Sequence, residues 1–199
     1  MRRIDLGPCP GDLYEGDPER LVVLLPGAHY RVGSPLFWFA REAALERGWS
    51  VLAVGDELGE EDDRLAWARD RAERALDVVP ARRVVVIGKS IASTAAGLIA
   101  ERELPAVWLT PLVAYAGVVE GFSVVTEGLA STTRPALLVG STDDPSWNRA
   151  AVPDNPLLQV LELNGLDHSL EAPGDALASL DALSKITEGI SAFLDSLGK

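Results

Sequence analysis

The chain has 199 residues, enough for one full-sized domain with its own core. It is 47% hydrophobic and 24% charged, a globular composition and not a disordered one. A net charge of −12 with no basic patch argues against a nucleic-acid partner, and no apolar stretch approaches the length of a membrane span.

Cys9 is the only cysteine, so neither an internal disulfide nor a cysteine metal cluster is available. Met1-Arg2-Arg3-Ile4-Asp5 is not followed by the apolar core of a signal peptide. The expectation is a cytoplasmic protein that folds as one domain over residues 1–199.

In chain order, residues 2–6 and 11–15 read as short strands joined by the Gly7-Pro8-Cys9-Pro10 turn. Leu21 to Leu25 is a continuous apolar run, as in a strand buried on both faces, and Pro26-Gly27 ends it. Residues 36–47 read as a helix stopped by Gly48, and residues 50–54 as the next strand. Acidic residues 60–63 are expected to open a helix to about Val79, with Leu65, Ala68, Ala72, Ala75 and Leu76 on one face. Val84-Val85-Val86-Ile87 is a strand, followed by a helix to about Arg102. Residues 106–109 form a strand, 120–130 a weaker helix, and 135–139 and 157–163 two more strands. The last helix spans about 175–197, with Leu177, Leu180, Leu183, Ile186, Ile190, Phe193 and Leu197 at helical spacing. Strands thus alternate with helices from Leu21 onwards. Right-handed crossovers then give an α/β, doubly wound, mostly parallel sheet with helices on both faces.

The strand at 84–87 runs into Gly88-Lys89-Ser90-Ile91-Ala92, and small helix formers follow. A serine at the apex of a strand–turn–helix is lifted clear of the sheet, with the free N–H groups of the new helix aimed at it. Taken by itself, the same pentapeptide also fits a turn whose serine only caps the helix. Two further polar signals lie just past strand ends, where open α/β sheets place their sites: Ser141-Thr142-Asp143-Asp144-Pro145 and Asn164-Gly165-Leu166-Asp167-His168-Ser169. The order Ser, Asp, His supplies a nucleophile, an orienting carboxylate and an imidazole that titrates near neutrality. Asp144 is favoured over Asp143 as the acid, because Pro145 restricts it to extended angles. Gly88-Lys89-Ser90 also mimics the end of a phosphate-binding loop. The glycine that loop requires is Arg83 here, and the intervening residues are strand.

Pro26-Gly27-Ala28-His29-Tyr30 follows the strand expected beside the serine. The Ala28 and Ile91 N–H groups are candidates for an oxyanion hole. His29, Tyr30 and Trp147 are candidate pocket residues, with Trp108, Leu112, Val113 and Tyr115 as further walls.

On Pro-Gly-Ala at 26–28, Gly-Lys-Ser-Ile-Ala at 88–92, Thr-Asp-Asp-Pro at 142–145 and Gly-Leu-Asp-His-Ser-Leu at 165–170, the chain resembles the α/β-hydrolase superfamily. The resemblance is strongest to short, lidless members related to dienelactone hydrolase, and it covers nearly all of the chain from Leu21. It implies Ser90 as nucleophile, Asp144 as acid and His168 as base, with no metal or cofactor. Two positions depart from the pattern: Ala92 stands for the usual second glycine, and Pro26 for a histidine. The segment between the strands near Leu109 and Leu137 is too short for a cap domain, so an open site for small acyl groups is expected. The function implied is a carboxylesterase acting on a small-molecule acyl substrate through an acyl-enzyme. The alternative is a catalytically silent binding or scaffold protein on the same fold.

Overall fold

The computed structural model describes residues 1–55 and 63–198. The apolar runs pair into a single eight-stranded sheet: β1 (Arg2–Ile4), β2 (Gly11–Tyr14), β3 (Asp17–Leu25), β4 (Trp49–Val54), β5 (Arg83–Lys89), β6 (Ala106–Leu109), β7 (Ala136–Ser141) and β8 (Leu158–Leu163). Their order across the sheet is β1-β2-β4-β3-β5-β6-β7-β8. The first two strands join antiparallel and all later neighbours are parallel. The sheet is open, mostly parallel and wound in two directions from β3, as the alternation of strands and helices predicts.

Successive residues of the central strands point to opposite faces, and each face carries its own core. Val22, Leu24, Val85, Ile87, Val107, Leu109, Leu137 and Val139 pack under α1 (Pro35–Glu46) and α5 (Ala176–Ser196). Leu21, Val23, Leu25, Val86, Trp108 and Leu138 pack under α2 (Arg64–Val78), α3 (Ala96–Glu101) and α4 (Ser123–Ser131). Burial on both faces is why these strands read as unbroken apolar runs.

α2 starts at Arg64, and the Asp63 side chain caps it by accepting from the Leu65 and Ala66 N–H groups. Residues 60–62, expected within its first turn, lie outside the described residues. Of the stripe expected on α5, Ile186, Ile190 and Phe193 are buried and Leu183 and Leu197 half-buried. Leu177 and Leu180 are 75% and 59% exposed, and the α5 residues in the core are Ala182, Ile186, Ile190, Phe193 and Leu194. A 3-10 turn, Val113–Tyr115, and α4 take up much of the connection from β6 to β7. Among the described residues no helix is long and apolar enough to cross a membrane.

Candidate active site

The sheet reverses its winding between β3 and β5, and Ser90 stands at that point. β5 ends at Lys89, and a 3-10 turn, Ser90–Ala95, leads directly into α3. The turn forces Ser90 into a left-handed backbone with φ +54°, a conformation a non-glycine residue keeps only when its surroundings hold it. Gly88 makes the turn possible. A Cβ there would stand 2.7 Å from the Trp108 ring and 3.0 Å from the Ala92 Cβ. The strand and the start of the helix therefore close on each other, with Ala92 fully buried at the contact.

Asp144 and His168 arrive from the ends of β7 and β8, two and three strands away. The His168 Nε2 lies 2.8 Å from the Ser90 Oγ. Its Nδ1 lies 3.0 Å from both oxygens of Asp144, whose side chain is wholly buried. The structure thus brings together Ser90, His168 and Asp144, residues separated by up to 78 positions in sequence. Asp143 points elsewhere. It is exposed, and its carboxylate accepts from the Thr142 hydroxyl at 2.8 Å and the Gly165 N–H at 3.3 Å.

Burial alone would raise the Asp144 carboxyl. The hydrogen bonds from His168 and from the Ser146 backbone, with the charge interaction with His168, outweigh it and hold the group below its ordinary value. An ionised Asp144 only accepts, so Nδ1 carries the hydrogen and Nε2 is left as an acceptor facing the Ser90 hydroxyl.

Ser146 is a member of this cluster that sequence reasoning missed. Its N–H donates to Asp144 Oδ1 at 2.9 Å, and its hydroxyl lies 2.8 Å from each carboxylate oxygen and 3.0 Å from His168 Nδ1. The signal was present in Asp144-Pro145-Ser146, since an aspartate accepting from the N–H two residues on is an Asx-turn. Trp147 completes the support. It is 7% exposed, its indole N–H donates to Glu162 at 2.6 Å, and its ring lies flat on Gly140. Its place is in the core under the acid loop, together with Trp108, Leu112 and Val113.

β3 pairs with β5 through Leu25 and Gly88, which brings the Pro26-Gly27-Ala28 loop alongside Ser90. Gly27 and Tyr30 close this loop by two backbone hydrogen bonds of 3.0 and 3.4 Å. A Cβ on Gly27 would lie 3.6 Å from that of Ser90. Ala28 is half-buried, His29 is exposed, and Ile91 is buried at the start of the 3-10 turn. Tyr30 lines a cavity of about 370 Å³ with Pro35, Leu36, Ser169 and Leu170, beside the His168 loop. Among the described residues, no group of three or more His, Cys, Asp or Glu side chains is placed to hold a metal ion.

The architecture is that of the α/β hydrolases. It is similar to Est1E from Butyrivibrio proteoclasticus, solved with ferulic acid bound, at 16% identity and a TM-score of 0.72 over 98% of each chain. It is similar to alpha/beta hydrolase domain-containing protein 10 from mouse at 14% identity and a TM-score of 0.73 over 99% of each chain. Dienelactone hydrolase from Anabaena variabilis aligns at 17% identity and a TM-score of 0.72, over 96% of this chain and 94% of that one. At such identities the likeness establishes the fold: this chain has the α/β-hydrolase fold. No protein-family model and no curated protein matches the sequence.

Proposed function

We propose that the protein is a serine hydrolase, a carboxylesterase that cleaves small or exposed acyl esters through an acyl-enzyme. The observation that carries this reading is the continuous relay from Ser90 Oγ to His168 Nε2, and from His168 Nδ1 to a buried, ionised Asp144. The esterase and dienelactone hydrolase among proteins of like fold add support.

In the proposed reaction His168 Nε2 takes the Ser90 proton as Oγ attacks the ester carbonyl. The N–H groups of Ala28 and Ile91 hold the oxyanion. Collapse expels the alcohol, which leaves with the proton from Nε2. His168 then deprotonates a water, which attacks the acyl group, and Ser90 regains its proton as it departs. Asp144 stays ionised throughout, fixing the tautomer and stabilising the imidazolium. The reaction calls for no cofactor. A single cysteine suits action in the reducing cytoplasm as a single-domain enzyme.

Labelling with a fluorophosphonate, with Ser90→Ala as control, tests the reading. The wild type is expected to label at Ser90 and to hydrolyse short esters, whereas Ser90→Ala does neither and keeps its fold. Normal ester turnover by the variant would overturn it.

A further inference from the structure

Lys89 is 1% exposed, and the reaction above leaves it without a role. Lysine is almost never buried unless its ammonium is met by partners. Here Nζ donates to the backbone carbonyl of His168 at 2.6 Å and to the Thr110 hydroxyl at 2.7 Å, and it faces the Tyr30 ring at 4.9 Å. By strand alternation Lys89 shares the face of Val85 and Ile87, under the loop that carries His168.

A second observation points to the same place. Among the described residues four non-glycines have left-handed backbone, and three of them, Ser90, Thr110 and Leu170, lie next to this lysine in sequence or in the segments it bonds. Ser90 follows it, Thr110 bonds it, and Leu170 lies two residues beyond the histidine it holds. Such conformations persist where neighbouring contacts over-determine them. A buried ammonium is costly, and an apolar side chain of the same length would fill the space at less cost. The charge is spent on the main chain of the residue that must meet Ser90.

We propose that Lys89 is a positioning residue for the general base: its ammonium ties the His168 main chain to the strand that ends in the nucleophile. The proposal rests on the serine-hydrolase reading. Burial lowers the Lys89 ammonium to about 8, against the upward pull of Asp144, Asp167 and Glu171. The groups facing it are Tyr30 after β3, Thr110 after β6, Asp144 after β7, and Asp167, His168 and Glu171 after β8. Above this value the charge-assisted bond to His168 becomes an ordinary one, about half as strong. Turnover then declines on the alkaline side.

The test compares wild type with Lys89→Met, following kcat and KM for a short ester from neutral to alkaline pH. Displacing the base by a fraction of an ångström to 1 Å is expected to lower kcat on the order of 10- to 100-fold, with KM little changed. The alkaline decline near pH 8 should vanish in the variant. The His168 Nδ1 proton resonance, read by NMR without turnover, should be sharp in wild type and broadened or lost in Lys89→Met. Wild-type kcat with an unaltered alkaline limb would overturn the proposal. If fluorophosphonate does not label wild-type Ser90, the hydrolase reading falls and the general-base role falls with it; the resonance then reports only on the tie between Lys89 and the His168 main chain, which its loss in Lys89→Met sustains and an unchanged signal ends. If Lys89→Met does not fold, Thr110→Val decides. Removing one acceptor lowers the ammonium further, so the alkaline limb should move to lower pH. A limb that does not move would overturn the proposal.

Discussion

Asp143 and Asp144 are adjacent and chemically identical, yet one is exposed and the other has a wholly buried side chain against His168. Chain direction separates them, since neighbours on a turning segment point apart. Asp144→Asn should leave His168 free to adopt the wrong tautomer and lower kcat on the order of 10⁴-fold. Asp143→Asn should change it little; ester turnover of the two variants side by side is the measurement. Stability carries a second signature of Asp144. Its carboxyl binds a proton less readily in the folded chain than at its ordinary value of 3.8, so acid favours the unfolded chain. Its contribution is complete above 3.8 and drains away as pH falls through the lower, folded value. Urea titrations of wild type and Asp144→Asn should show a wild-type advantage at neutral pH that shrinks below about pH 4. A gap independent of pH would contradict the ionised state that the relay requires.

At the scale of elements, the acid loop is set by how β7 meets Trp147. Gly140 leaves no room for a side chain, because a Cβ there would fall 2.1 Å from the indole ring. The same tryptophan donates its main-chain N–H to the Asp144 carbonyl at 3.0 Å and its ring N–H to Glu162 on β8. Gly140→Ala therefore forces the indole off the strand. We expect a loss of about 1–3 kcal/mol by chemical denaturation, as for other overpacked cores. A loss of turnover should accompany it, since Asp144 moves with the tryptophan. A variant as stable as wild type would show that the loop shifts at no cost. The 3-10 turn after Ser90 is the counterpart on β5. It joins a strand to α3 without a loop, so the serine's position is fixed by the sheet itself.

For the whole molecule, the connection between β6 and β7 decides the kind of substrate proposed. Its helix, α4, packs on α3 and into the core, and a 3-10 turn and this helix leave too few residues in the connection for a cap domain. Long acyl chains gain from apolar contact at about 25 cal/mol per Å², and an open site has little such area to give. Esters of roughly two to six carbons should be hydrolysed faster than palmitate esters by the same protein. The reverse order, measured on matched ester series, would mean that apolar surface covers the site during turnover.

Much of this was legible in the residues alone. Unbroken apolar runs between helical periods define buried parallel strands, because only a strand covered on both faces is apolar at every position. Glycine before a serine at a strand end marks the tight turn, for Gly88 has no space for a side chain. Ser90, Asp144 and His168 stand out because three polar signals past strand ends coincide, in the order Ser, Asp, His, at the edge where open α/β sheets place their sites. Other roles depended on contacts between segments far apart in sequence. Trp147 reads as a pocket aromatic until Gly140 is seen to receive its ring. The apolar spacing of α5 predicts burial at Leu177 and Leu180, yet both are exposed, because spacing alone does not say how far along a helix its partner extends. Lys89 resembles half of a phosphate loop in sequence, and its place beneath His168 follows from a strand pairing and a contact spanning 79 residues. Periodicity is local and survives in the sequence, whereas the partner of a buried polar group is chosen by the tertiary fold.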